Sequence, residues 1–321
     1  MAFSFSNVSD YTRQNADNLI LASHFDAKTQ QLVLSEGNVM VGIKSSEQLP
    51  LIDTDAFFQS DSTCGFVASG TTTISQRQLT VGKIKVQQQF CEKDLEAKFT
   101  QQALRNGSSN TGIPFEQKIT EEIAKTIAEQ LETAIWQGDT GSATNNLNKF
   151  DGLLKILNAA SGTVVQANAS GFLGIPKVTG AITTTNAKNI ADAMWVALPA
   201  RLQGKDDVRI FAGYDFYNTF LLAYRDQNLF NFAPTSGEGA PNGEVIIPGT
   251  NYRLTAVHGL DGTNRLVAAR MSNLFLGTDA QGEENAFEMW YSQDDRVEKL
   301  HVAFKMGVQV AYPAEVVNFI I

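Results

Sequence analysis

Cysteine and histidine are scarce in this chain of 321 residues, and each shortage removes a class of function. The two cysteines, Cys64 and Cys91, cannot frame a disulfide scaffold and lack CxxC spacing, so they read as two ordinary buried thiols. The three histidines, His24, His258 and His301, show no metal-ligand spacing and read as structural. No apolar run approaches the length needed to cross a bilayer, which excludes an integral membrane protein. The N-terminus, Met1 to Asn7, lacks a basic stretch followed by an apolar core, so it is not a secretory signal. Clustered Lys and Arg are missing too. With 25 basic against 34 acidic residues, the formal net charge is −9. Affinity for phosphates comes from cations that release counterions, so sequence-specific nucleic-acid binding is disfavoured; enclosing nucleic acid without gripping it is not.

Catalytic motifs are absent as well. There is no Gly-x-Ser-x-Gly elbow, no phosphate-binding loop, no dinucleotide fingerprint and no His-Glu-x-x-His. Gly138-Asp-Thr-Gly141 has the letters of an aspartic protease motif, but it ends a helix instead of sitting on a strand-loop with a second carboxylate. Asp294-Asp-Arg296, between two strands, reads as a charged turn. The expectation is a non-enzyme with no cofactor and no metal.

What the chain does contain is one long periodic helix. Phe115, Ile119, Ile123, Ile127, Leu131 and Ile135 recur every four residues and form a single apolar stripe, read as a core face. Glu121, Glu122, Lys125, Glu129 and Glu132 are assigned to the opposite, polar side, and Pro114 suits the first turn. At about 1.5 Å per residue, a helix over 114–137 would span about 35 Å.

Around it the organisation is uneven. Residues 1–56 are polar, interrupted by Leu19-Ile-Leu-Ala-Ser23 and a strand-like Leu32-Val-Leu34; they read as an arm lying across something else, or as an N-terminal subdomain helix. Residues 57–86, rich in Thr and Ser with a turn at Ser69-Gly70-Thr71, read as a long hairpin, either a sheet edge or an arm on a neighbouring subunit. Leu79 and Val81 point to one face, Ile84 and Val86 to the other, and a bulge at Gly82 would explain the change of phase. Beyond Gly152, Asn186 would cap a helix kinked or ended by Pro199, Val208–Phe211 is a short strand, and Asp215 opens an aromatic-rich helix. Pro234 to Gly243 is a loop, and strands are expected at 244–247, 252–257, 265–270, 287–291, 299–310 and 316–321.

This order of elements resembles the major capsid protein of tailed bacteriophages, the Hong Kong 97-like fold. Ile74 to Leu95 resembles that family's extended loop and its return, and Phe115 to Gln137 resembles its spine helix. Glu132 to Gly141, with Phe150-Asp-Gly-Leu153, resembles the turn that follows the spine. Pro248 to Thr255, Leu274 to Thr278 and Asp295 to Ala314 resemble its later strands.

The resemblance implies an α+β fold with an N-terminal arm (1–56), an extended β-hairpin loop (57–86), a peripheral domain (87–150 and 292–321) and an axial domain (151–291). It implies that Thr71, Ile74, Leu79, Val81 and Lys83 of the extended loop contact a neighbouring subunit. The partners would be further copies in hexamers and pentamers, portal, scaffold and decoration proteins, and packaged double-stranded DNA held without sequence-specific contact. The location would be the virion, assembled in the host bacterial cytoplasm. A nanocompartment shell enclosing a cargo enzyme shares the fold and is the alternative. Lys83 and Lys85 lack a matching Asn for the isopeptide cross-links of some relatives, so no cross-link is expected.

Overall fold

The structure is a computed structural model that describes residues 27–55, 57–60, 69–90, 115–169, 174–226, 243–279 and 287–321. Its thirteen described strands are β1 (Val39–Val41), β2 (Ser46–Thr54), β3 (Thr72–Thr80), β4 (Gly82–Phe90), β5 (Val165–Gln166), β6 (Val208–Ala212), β7 (Glu244–Ile246), β8 (Arg253–Ala256), β9 (Leu266–Arg270), β10 (Leu274–Thr278), β11 (Phe287–Ser292), β12 (Val297–Val310) and β13 (Val317–Phe319). They form three sheets: five strands ordered β1-β10-β12-β11 with β4 also on β12, six strands ordered β5-β13-β9-β6-β8-β7, and a β2-β3 ribbon.

The long helix runs from Phe115 to Gln137, one residue from the expected start. Ile123, Ile127, Leu131 and Ile135 are buried, and they share a core with Leu300, Val302, Phe304 and Met306 of β12. Phe115 and Ile119 lie on the helix, but their side chains fall outside the described residues. Each strand of the six-stranded sheet divides its side chains by the period of two. Phe211, Val267 and Ala269 face the long helix's core, while Ile210, Ala212, Leu254 and Ala268 face a second core under helices Ala187–Val196 and Tyr214–Asp226.

Several expectations are corrected. The strand-like Leu32-Val-Leu34 belongs to helix Lys28–Ser35, whose Val33 is buried against the long helix. Asn186 does not cap the helix that follows it. Its amide instead ties the preceding loop, accepting from Thr183 N (2.8 Å) and donating to Ala181 O (3.0 Å). The first arm of the hairpin is Ser46–Thr54, not a segment beyond residue 56; it pairs antiparallel with Thr72–Thr80 from Ser46↔Thr80 to Thr54↔Thr72. Pro50 is tolerated because a two-stranded ribbon has only edge strands.

The change of phase near Gly82 is a handover between sheets instead of a bulge. β3 ends at Thr80, Val81 N donates to Ser45 O (2.9 Å), and β4 then joins β12 with Gly82↔Met306. A Cβ on Gly82 would lie 2.0 Å from Lys149 O, so only glycine lets the chain cross there. Three strands also sit elsewhere than the expected domain limits: Leu274–Thr278 and Phe287–Ser292 pair with β12 in the five-stranded sheet, and Val317–Phe319 pairs with β9 in the six-stranded one. Long-range pairing decides sheet membership, and it overrides order along the chain. Leu19 to Ser23, Cys64, Cys91 and most of the Pro234–Gly243 loop lie outside the described residues.

Candidate assembly surfaces: ribbon, spine groove and spine junction

The ribbon has two unlike faces. Leu49, Leu51 and Leu79 are buried, and Leu49 and Leu79 close a small core with Ile43, Val81, Met40 and Phe275. On the other face Ile52 and Ile74 are direct cross-strand partners, 62% and 75% exposed. Phe57 and Phe58, at the distal end, are also exposed. Among the described residues four apolar side chains are thus exposed on one projection, a candidate surface for another molecule.

The expected contact residues divide accordingly. Thr71, Ile74 and Lys83 are exposed. Leu79, fully buried, and Val81 belong to the ribbon's own base, where they support the fold and cannot be offered to a neighbour. Ile52, Phe57 and Phe58, which sequence reasoning did not single out, join the exposed apolar set; the signal was apolar residues in a stretch too polar to form a core of its own.

Beside the long helix runs an apolar groove of about 420 Å³. Ile123, Ile127 and Leu131 form one wall, and Ile84, Val86 and Phe304 the other.

At its C-terminal end the long helix meets the rest of the molecule through a buried polar junction. Glu132 is 4% exposed and not on a solvent face, which corrects its assignment to the polar side. Thr29 donates to it twice, from N to Oε2 (3.1 Å) and from Oγ1 to Oε1 (2.5 Å). Trp136 Nε1 donates to Thr29 Oγ1 (2.8 Å), and its ring lies 5.2 Å from that of Phe211. Burial pushes the Glu132 carboxyl above its ordinary range, opposed by the two Thr29 hydrogen bonds and by the charges of His258 and Lys28. Lys28, lowered by burial, donates to Ala256 O (3.0 Å). The turn His258–Leu260 closes the junction: Gln137 Nε2 donates to Gly259 O (2.8 Å), and a Cβ on Gly259 would lie 2.2 Å from Trp136 Cδ1.

Just beyond, Asp139-Thr-Gly141 forms a surface knot. Lys155 Nζ lies 2.7 Å from both Asp139 Oδ1 and Asp151 Oδ1, and Thr140 donates to Asp151 through N (2.9 Å) and Oγ1 (2.7 Å). Hydrogen bonds to Asp139 and Asp151 raise the Lys155 pKa, and the bond from Lys155 lowers that of Asp139. Burial works against ionisation of Asp151, yet Lys155 and Thr140 outweigh it and hold its carboxyl below the usual range. A proton-sharing pair would need one carboxyl raised, and amide formation would need a neutral amine; this knot favours the charged form of every member. Its chemistry is that of a staple. Asp294 and Asp295 do lie in the β11–β12 turn, where Asp295 pairs with Lys299. Among the described residues no group of His, Cys, Asp and Glu could hold a metal ion, and no helix is long and apolar enough to cross a membrane.

Solved structures match this arrangement over nearly its whole length. A chain of the satellite phage P4 procapsid, which includes a size-determination protein, aligns at TM-score 0.58 and 10% identity, covering 99% of this chain and 91% of that one. The fold is the Hong Kong 97-like capsid fold. A chain of the cyanophage A-1(L) capsid carries the same capsid fold at TM-score 0.55 and 14% identity, covering 91% and 92%. So does one from the capsid of the myovirus XM1, at 0.51 and 13%, covering 90% and 91%. No family model and no curated protein matches the sequence. At such identities the capsid fold is common ground, and residue roles are not carried across.

Proposed function

We propose that this chain is the major shell subunit of a tailed-phage head, assembling into hexamers and pentamers around double-stranded DNA. The observation that carries the reading is the ribbon: on a capsid fold, it holds Ile52, Ile74, Phe57 and Phe58 in water while its base is locked into the subunit's own core. Apolar area of this kind is stabilised only by burial against a further molecule. The acidic balance of the chain fits DNA that is enclosed without being gripped. Portal, scaffold and decoration proteins are the further partners of such a subunit, the virion is its location, and assembly takes place in the host bacterial cytoplasm.

Electron microscopy of the purified protein, with its mass by light scattering, tests this. Closed icosahedral particles filled with DNA are the expected result. Closed particles filled with protein would turn the reading to a nanocompartment. A stable monomer or dimer at high protein concentration, with scaffold supplied, would overturn both.

A further inference from the structure

We infer that helix Lys28–Ser35 is a detachable strap on the long helix, clasped by the Glu132 carboxyl and released when that carboxyl ionises. The helix is poorly provided for on its own. It has eight residues, no acidic residue in its first turn and, among the described residues, no side-chain cap at Ala27. The first N–H groups of a helix find no partner within it and need one from outside. Here the long helix supplies it: Glu132 Oε2 accepts from Thr29 N (3.1 Å) and Oε1 accepts from Thr29 Oγ1 (2.5 Å). Trp136 Nε1 completes the clasp by donating to Thr29 Oγ1 (2.8 Å).

Little else holds the helix down. Val33 is its one buried apolar side chain, and Leu34 is exposed. Gln30 is buried with its Oε1 unpartnered among the described residues, an acceptor that regains water when the helix lifts. The chain beyond is tied firmly: Asn38 Nδ2 donates to Met271 O (3.0 Å), and Val39–Val41 pairs with Leu276–Thr278. Between strap and anchor stands Gly37, at φ 74° with open space where a Cβ would lie. The strap thus has a clasp at one end and a pivot at the other. Lifting it uncovers Glu132 and Trp136 and leaves the sheets and the long helix in place, which is a local opening and not unfolding.

The charges at the clasp set the direction of the switch. Lys28 on the strap and His258 on the turn both favour ionised Glu132. Glu244 and Arg209 act in turn on Lys28, Asp261 Oδ2 lies 2.8 Å from His258 Nδ1, and Tyr214, which feels Glu132 and Asp261, stacks on the His258 ring. An ionised carboxylate in water would be the better cap for a helix N-terminus. Out of water, burial outweighs the cap and both cations, and the closed strap retains the proton. Closure is therefore supported in full below the ordinary 4.5 and weakens as the pH rises through the raised value. The strap is a property of the single chain and does not depend on the shell-subunit reading.

Amide hydrogen exchange on the full chain tests the strap, read as protection relative to the intrinsic rate at about pH 5.5 and about pH 8.5. Between the two, the amides of Gln31 to Ser35 are expected to lose about ten-fold in protection, and those of Ile127 to Ile135 less than about three-fold. Glu132→Gln leaves the His258–Asp261 pair in place and should bring the loss at the strap below about three-fold. Two further variants read the clasp without altering the carboxyl. Thr29→Val should lower strap protection about a hundred-fold at the lower pH with the long helix still protected, whereas Thr29→Ser, which keeps the hydroxyl, should stay within about three-fold of the unchanged chain. Strap and long helix that open in one step, a pH loss of the same size in Glu132→Gln, or equal protection in Thr29→Val and Thr29→Ser would each overturn the strap.

Discussion

The end of the long helix and the end of the ribbon solve opposite problems. At the helix end, Glu132, Thr29 and Trp136 satisfy one another's polar atoms out of water, and Gly259 lets the neighbouring turn close without a gap. At the ribbon end, Ile52 and Ile74 pair with each other across the strands and are left exposed among the described residues. The first region satisfies its polar groups within one chain; the second leaves its apolar face uncovered among the described residues. On the proposed reading a shell subunit needs both, a rigid body and an extension whose burial waits for assembly.

Substitutions that separate the two regions sharpen the contrast. Ile135→Asp should have the largest effect, because it places an unpaired carboxylate where the side chain is fully buried. A loss on the order of 4–5 kcal/mol is expected, read as insoluble or unfolded protein. Thr29→Val removes the hydroxyl that serves Glu132 and Trp136 together, taking the partner of Glu132 Oε1 and of Trp136 Nε1 while residue 29 N still donates to Glu132 Oε2. It should cost about 3 kcal/mol in chemical denaturation. Gly259→Ala drives a methyl into Trp136 and should cost about 2 kcal/mol with a changed tryptophan emission.

The pH profile probes the same junction. The folded-state pKa of Glu132 is raised above the ordinary 4.5, so the native state holds a proton that the unfolded state has released. Its contribution is fully present below pH 4.5 and is lost as pH rises through the raised value. The denaturation midpoint should fall over that window, and Glu132→Gln should flatten the fall. A midpoint with the same slope in both proteins would contradict the buried-carboxylate assignment. The smallest effect on stability belongs to the ribbon: Ile52→Ser with Ile74→Ser should change it by no more than about 0.5 kcal/mol.

The long helix was legible because its stripe is local: four-residue spacing identifies a buried face without knowledge of what covers it. Glu132 was not, since its cover is helix Lys28–Ser35, distant in sequence, and a glutamate among lysines and glutamates looks solvated. The signal was present in Ala124 and Ala128, small residues spaced four apart in line with Glu132, marking a second face closely approached by another element. The ribbon was half legible. Its return strand is β-prone in composition, rich in Thr with Ile74 and Leu79, but its first strand contains Pro50, Glu47 and Asp53, which suppress the strand pattern. Sheet membership of β10, β11 and β13 depends on partners far along the chain, and residue type does not encode that.

The most direct test of the contrast is the Ile52→Ser, Ile74→Ser protein, compared with the unchanged chain by denaturation and by electron microscopy of the same samples. Equal denaturation midpoints with closed shells only in the unchanged protein are the expected result. Closed shells from the doubly substituted protein, or a midpoint lowered by several kcal/mol of lost stability, would contradict the assignment of the ribbon's outer face to assembly.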